Sequence, residues 1–255
     1  MKKRLSAYLR ARQTIARQQA LQKSLAFEKS LKKKRGEAIA EAVKRLSAVP
    51  PSRWGDEVHI QEDYLLTMYQ HLYLNTGVDA ARQTVNDFLS RKEEGDDLYV
   101  NSILNWTRTH LGARIALSNK TINKWLADLW RQIYEDNRTE GVEKITQTMY
   151  REVSKSWDAI KEWEVRRIAQ TETMKSLNIA RSESMNALGV QYMKTWSVSG
   201  NNTRPTHLEV DRDTIKQGEL FIVGGYYMSE PMDESYGAPP EEIINCSCSL
   251  IYYPI

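Results

Sequence analysis

A chain of 255 residues has room for one large domain or two small ones. Seven Trp and thirteen Tyr exclude wholesale disorder, and the longest apolar runs, such as Leu220-Phe221-Ile222-Val223, are far shorter than the ~20 residues of a membrane-spanning helix. The net charge of +3 hides a split: residues 1–46 carry fourteen Lys or Arg against Glu28, Glu37 and Glu41, a balance of +11 that leaves −8 on the remainder.

The chain opens Met1-Lys2-Lys3-Arg4, but Arg10, Arg12 and Arg17 interrupt any apolar stretch of the kind a secretory leader needs. Residues 1–46 lack Pro and are rich in Ala, Leu, Gln, Lys and Arg, so they predict one or two long helices. Leu21, Leu25, Ile39, Val43 and Leu46 recur at roughly helical spacing and form a thin apolar stripe. Pro50-Pro51 ends this basic arm, residues 1–50. Lys2, Lys3, Arg4, Arg10, Arg12, Arg17, Lys32, Lys33, Lys34 and Arg35 are its candidates for contacting DNA phosphates without sequence preference. The alternative is that the arm docks as helices on a protein partner.

Residues 51–157 predict a helical domain. Helices are expected at about 60–75, ending near Gly77, at about 79–93 and at about 97–117. Ser118-Asn119-Lys120-Thr121 reads as a turn that opens a further helix through Trp125 and Ile133, and Gly141 precedes another. Residues 159–188 give the clearest helix. Thr171, Met174, Asn178, Arg181 and Met185 share one face of it, and Gly189 is placed to cap it.

Past Gly189 the pattern becomes strand-like. Strands are expected from Tyr192 to Ser199, from Glu219 to Val223 before a Gly224-Gly225 turn, and from Cys248 to Tyr253. Residues 229–242 form an acidic, Pro-rich loop. The expected fold class is α+β: a long, mostly helical part followed by a small antiparallel β-unit packed on a long helix, with residues 158–255 as the C-terminal domain.

One ordered series runs through that domain. It comprises Arg167-Ile168-Ala169-Gln170-Thr171-Glu172-Thr173, Asn178-Ile179-Ala180-Arg181, Lys194-Thr195-Trp196, Arg204-Pro205-Thr206-His207, Pro231-Met232-Asp233 and Asn245-Cys246-Ser247-Cys248. The series resembles the C-terminal domain of the phage Mu protein F-like head morphogenesis family, the minor head proteins of tailed bacteriophages. It covers about a third of the chain. Ser247 stands where the family usually has Arg, and Asp211-Arg212 where it usually has Asp-Gly. The resemblance implies a structural virion protein, not an enzyme, placed near the portal vertex of the phage head and in the host cytoplasm during assembly. The partners it implies are the portal protein, the major capsid or scaffold protein, and packaged double-stranded DNA; no membrane is implied. An enzyme or toxin-like effector that reuses the same domain is the alternative.

Two arrangements are open for the domain's polar residues. In the first, Arg204 and His207 form the centre of a structural polar cluster with Glu172, Asn178, Arg181 and Asn245, which ties the β-unit to the long helix and needs no cofactor. In the second, His207, Asp211, Cys246 and Cys248 supply imidazole, carboxylate and thiolates to a zinc ion. Cys246 and Cys248 are too close in sequence to staple the fold as a disulfide. Arg204, His207 and Glu172 have proton-transfer chemistry, yet no nucleophile–base spacing accompanies them. Asp211, Asp213 and Asp233 are too sparse for a calcium loop.

Overall fold

The structure, a computed structural model, describes residues 2–46, 49, 53, 63–89, 97–199 and 203–255. It is an α+β chain. Long helices come first: α1 (Lys2–Leu46), α2 (Asp63–Leu89), α3 (Asp97–Asp136) and α4 (Val142–Ala187). Short elements follow: β1 (Tyr192–Ser197), α5 (Pro205–Glu209), β2 (Thr214–Lys216), β3 (Phe221–Val223), β4 (Tyr226–Met228), α6 (Pro240–Ile243) and β5 (Ser249–Pro254). No helix among the described residues is long and apolar enough to cross a membrane.

The chain folds into two compact units that interleave along it, one from residues 1–27, 71–107 and 167–255, the other from 28–70 and 108–166. Each division falls inside a long helix, so the units do not follow the boundaries expected near residues 50 and 158. Two expected helix breaks are also absent. Residues 118–121 continue α3, and Gly77 lies within α2. The reason at Gly77 is steric: a Cβ there would come within 2.9 Å of the Ala180 Cβ and 3.0 Å of the Ile103 Cδ1. Glycine is present because two helices need its bare backbone, and that gain offsets its poor helix propensity of about 1 kcal/mol.

The unit of residues 28–70 and 108–166 is held by helical apolar faces. Leu31, Ile39, Val43, Leu65, Tyr69, Leu111, Leu126, Trp130 and Met149 are buried in it. Arg35 is buried as well, at 0% exposure, because the inward face of α1 runs through Leu31, Arg35 and Ile39 at four-residue steps. This removes Arg35 from the exposed basic face expected to meet phosphates. Lys33 and Lys34 are exposed, with Glu37 beside them at 3.9 and 3.0 Å. The side chains of Lys2, Lys3, Arg4, Arg10, Arg12 and Arg17 lie outside the described ones.

In the other unit, α4 is central. From Thr171 to Arg181 every residue but Met174 is buried, so this segment is enclosed on more than the single face expected for it. Gly189 ends the helical stretch at a left-handed φ of 65°, where its N–H donates to the Asn186 carbonyl at 3.1 Å. The β-unit then forms a three-stranded antiparallel sheet in the order β2-β1-β5, with Trp196 opposite Leu250 and Thr195 opposite Ile251. Strands β3 and β4 make a separate hairpin. Its Gly224 and Gly225 have φ of 58° and 85°, the positive pair that a two-residue hairpin turn favours. Trp196, Phe221, Met228, Met232 and Leu250 pack together with Met185 of α4, the Trp196 and Phe221 rings meeting edge-on at 5.2 Å.

Candidate metal centre

Pro205 opens α5, where its fixed φ suits the first turn and its missing N–H costs nothing. His207 follows two residues later and points inward, edge-on to the Trp196 ring at 5.8 Å. On the other side of the site, α6 ends at Ile243 and Asn245 turns the chain through a positive φ of 58°. Cys246 and Cys248 then lead into β5. Both sulfurs reach the same ring nitrogen: His207 Nδ1 lies 3.3 Å from Cys248 Sγ and 3.5 Å from Cys246 Sγ. The three ligand-type atoms lie within 4.8 Å of one another, and the residues are only 1%, 3% and 2% exposed.

The other ring nitrogen has a different partner. His207 Nε2 is 2.9 Å from Glu242 Oε2. A carboxylate only accepts, so Nε2 is the donor to Glu242, and Nδ1 is the nitrogen that faces the sulfurs. The Thr206 hydroxyl donates to the same carboxylate oxygen at 2.9 Å. Gly224 makes room for it, since a Cβ at that position would meet Glu242 Oε1 at 2.6 Å.

The sulfurs are unequal. The Cys246 side chain hydrogen-bonds to Cys248 and pulls the Cys248 thiol well below the ordinary range against the opposing effect of burial, and His207 adds to the pull. Cys246 is pushed well above that range, by holding the proton of this same bond and by burial. Free of metal, the pair therefore shares one proton between two sulfurs. The backbone N–H of Cys248 also donates to Cys246 Sγ at 3.4 Å, a contact that favours negative charge there.

Other residues of the two expected arrangements lie elsewhere. Asp211 is not in this group, because its Oδ1 accepts from the Val198 N–H at 3.1 Å and so pins the turn after β1. Asp233 likewise fixes its own loop, accepting from the Ser229 N–H at 2.9 Å and from the Ser235 N–H at 2.9 Å. Among the described residues, Arg204 and Glu172 do not pair with each other. Arg204 donates to the Ile244 carbonyl, whereas the Glu172 carboxylate accepts from the Tyr73 hydroxyl at 2.9 Å. Asn245 contributes its backbone, with its N–H donating to Thr171 Oγ1 at 3.1 Å. Asn178 donates to the Cys248 carbonyl at 3.0 Å, so it does tie α4 to the start of β5. Arg181 is buried and borders a small cleft with Leu250 and Tyr252.

Glu242 is the functional residue that sequence reasoning missed. It sits in an acidic loop that reads as solvated surface, and only the fold turns it toward His207. No family model, curated protein or solved structure matches this chain.

Proposed function

We propose that this chain is a structural minor head protein of a tailed phage, which acts by binding at the portal vertex in head assembly and genome delivery. One observation carries the proposal: residues of the ordered series, far apart in sequence, meet in one compact unit. Thr171 meets Asn245, Asn178 meets Cys248, and Trp196 packs on His207. A chance scatter of short motifs has no reason to converge, so the convergence supports treating the series as a single inherited module. Binding rather than catalysis is favoured by the burial of His207, whose two nitrogens both face protein groups.

The proposed partners are the portal protein, the major capsid or scaffold protein, and double-stranded DNA. The exposed apolar side chains Ile15, Leu21 and Leu25 on α1 support docking on protein. The +11 balance of residues 1–46, with Lys33 and Lys34 exposed, supports phosphate contact. The test is co-purification with the portal protein of the same phage, together with mass spectrometry of purified particles. Capture of the portal and presence in particles are expected. Absence from particles together with no portal binding overturns the proposal. Any DNA affinity should fall with salt at a log–log slope of about −0.9 per phosphate contacted, and deleting residues 1–46 should remove most of it.

A further inference from the structure

We infer that His207, Cys246 and Cys248 bind one zinc ion, which clamps α5 to the chain entering β5. Geometry comes first. Zinc–sulfur bonds of about 2.3 Å and zinc–nitrogen bonds of about 2.0–2.1 Å at a tetrahedral angle separate nitrogen from sulfur by about 3.6 Å. The two observed separations are 3.3 and 3.5 Å. Both nitrogen–sulfur separations thus match a tetrahedral ion, and all three ligand atoms lie within 4.8 Å of one another.

Two buried sulfurs also converge on one ring nitrogen, and a cation at the centre would meet all three atoms at once. The Glu242–His207 pair is the carboxylate–histidine arrangement that commonly orients a metal-bound imidazole. Thiolate with imidazole also selects the class of ion: both suit zinc, whereas magnesium and calcium take oxygen ligands.

Among the described residues no fourth side chain joins the three. A cleft of about 220 Å³ bordered by Ser199, Asn245, Cys246 and Ser247 lies beside Cys246, where a fourth ligand such as a water would enter. The ion's role is structural. His207 and Cys248 are 41 residues apart, and the ion joins the two ends of that stretch.

The test uses the full chain, untagged, purified under reducing conditions. Metal analysis is expected to find about one zinc per chain. Replacement by cobalt(II) should give a thiolate-to-metal charge-transfer band and the visible bands of a tetrahedral site. Cys246→Ser, Cys248→Ser and His207→Ala should each lose the metal. Glu242→Gln should keep it with affinity lowered about 10- to 100-fold. Asp211→Asn should keep it unchanged. Because the cobalt spectrum is read on the wild-type protein, misfolding of a variant cannot mask the answer. A reduced wild-type chain with neither zinc nor a cobalt–thiolate band overturns the inference, as does zinc that survives in both cysteine variants. Neither result bears on portal binding, so this inference and the proposed function fail separately.

Discussion

The two units use polar side chains in opposite ways. In the helical unit of residues 28–70 and 108–166, pairs such as Arg131–Asp128 at 2.8 Å and Lys144–Glu140 at 2.6 Å are exposed and only three or four residues apart. Each such pair contributes about 0.3–0.5 kcal/mol, and Leu126, Trp130 and Met149 supply the burial that holds the helices together. In the unit that includes residues 167–255, polar atoms meet across long stretches of chain. Asn178 reaches the Cys248 carbonyl 70 residues on, and Asn245 reaches Thr171 across 74. Hydrogen bonds of this buried kind leave an unsatisfied group behind when one partner is removed, at a cost of about 1–3 kcal/mol. A unit built from apolar helix faces tolerates surface change, whereas one stitched by buried polar contacts is sensitive to single substitutions.

The sharpest probe of that contrast is Trp196→Ala. Trp196 is fully buried and packs against both Phe221 and His207, so its loss is expected to cost roughly 3–5 kcal/mol in denaturant unfolding and to raise proteolysis within residues 190–255. Arg131→Ala in the helical unit should stay within about 0.5 kcal/mol. A cost above about 1 kcal/mol for Arg131→Ala would break the comparison.

Glu230 sharpens it through pH. Burial, first of all, raises its carboxyl from the ordinary 4.5 to about 7, with Asp233 and Glu183 reinforcing the shift while Ser182 and Lys175 oppose it. The folded chain therefore holds a proton between those values that the unfolded chain has released. The contribution of Glu230 to stability should be greatest below about 4.5, fall as pH rises to about 7, and stay level above that. At about 1.4 kcal/mol per pH unit the loss is at most about 3.5 kcal/mol. Glu230→Gln should flatten this dependence and stabilise the chain at pH 8. Unfolding midpoints measured across pH 5–8 in both proteins test it, and an unchanged slope in Glu230→Gln would remove Glu230 as the cause.

Much of the fold was legible in the sequence because its signals are local. The cap at Gly189, the Gly224-Gly225 turn and the strand character of Tyr192–Ser197 each depend on neighbours in the chain. The candidate ligands His207, Cys246 and Cys248 were legible from residue type. What could not be read depends on distant partners. Gly77 looks like a helix end until Ala180 and Ile103 are placed against it. Arg204 looks like the partner of a carboxylate, but its acceptor is a backbone carbonyl, which no residue type announces. Glu242 belongs to the same class. Gly77→Ala turns this point into a measurement: overpacking against Ala180 should destabilise by about 1–3 kcal/mol, although alanine is the better helix former by about 1 kcal/mol. A stabilised variant would mean that the helices there separate easily.

The smallest expected effect is at Arg212. At Arg212 the backbone takes a conformation that favours glycine, with φ of 73°. Its N–H donates to the Trp196 carbonyl at 2.9 Å, so the turn is held in place by β1 and cannot relax to a negative φ without losing that bond. A residue with a Cβ pays about 1–2 kcal/mol for this region, and glycine avoids that but loses about 0.5–1 kcal/mol to the greater freedom of its unfolded state. The Arg212 side chain is 77% exposed and lies 3.5 Å from Asp211, an ion pair that adds little in solvent. The terms leave a net gain, so Arg212→Gly should stabilise the chain by a few tenths to about 1 kcal/mol. Arg212→Ala keeps the strain and removes the charge, and it should leave stability within about 0.5 kcal/mol of the parent. If the two variants shift the unfolding midpoint equally, the effect belongs to the arginine side chain and not to the backbone.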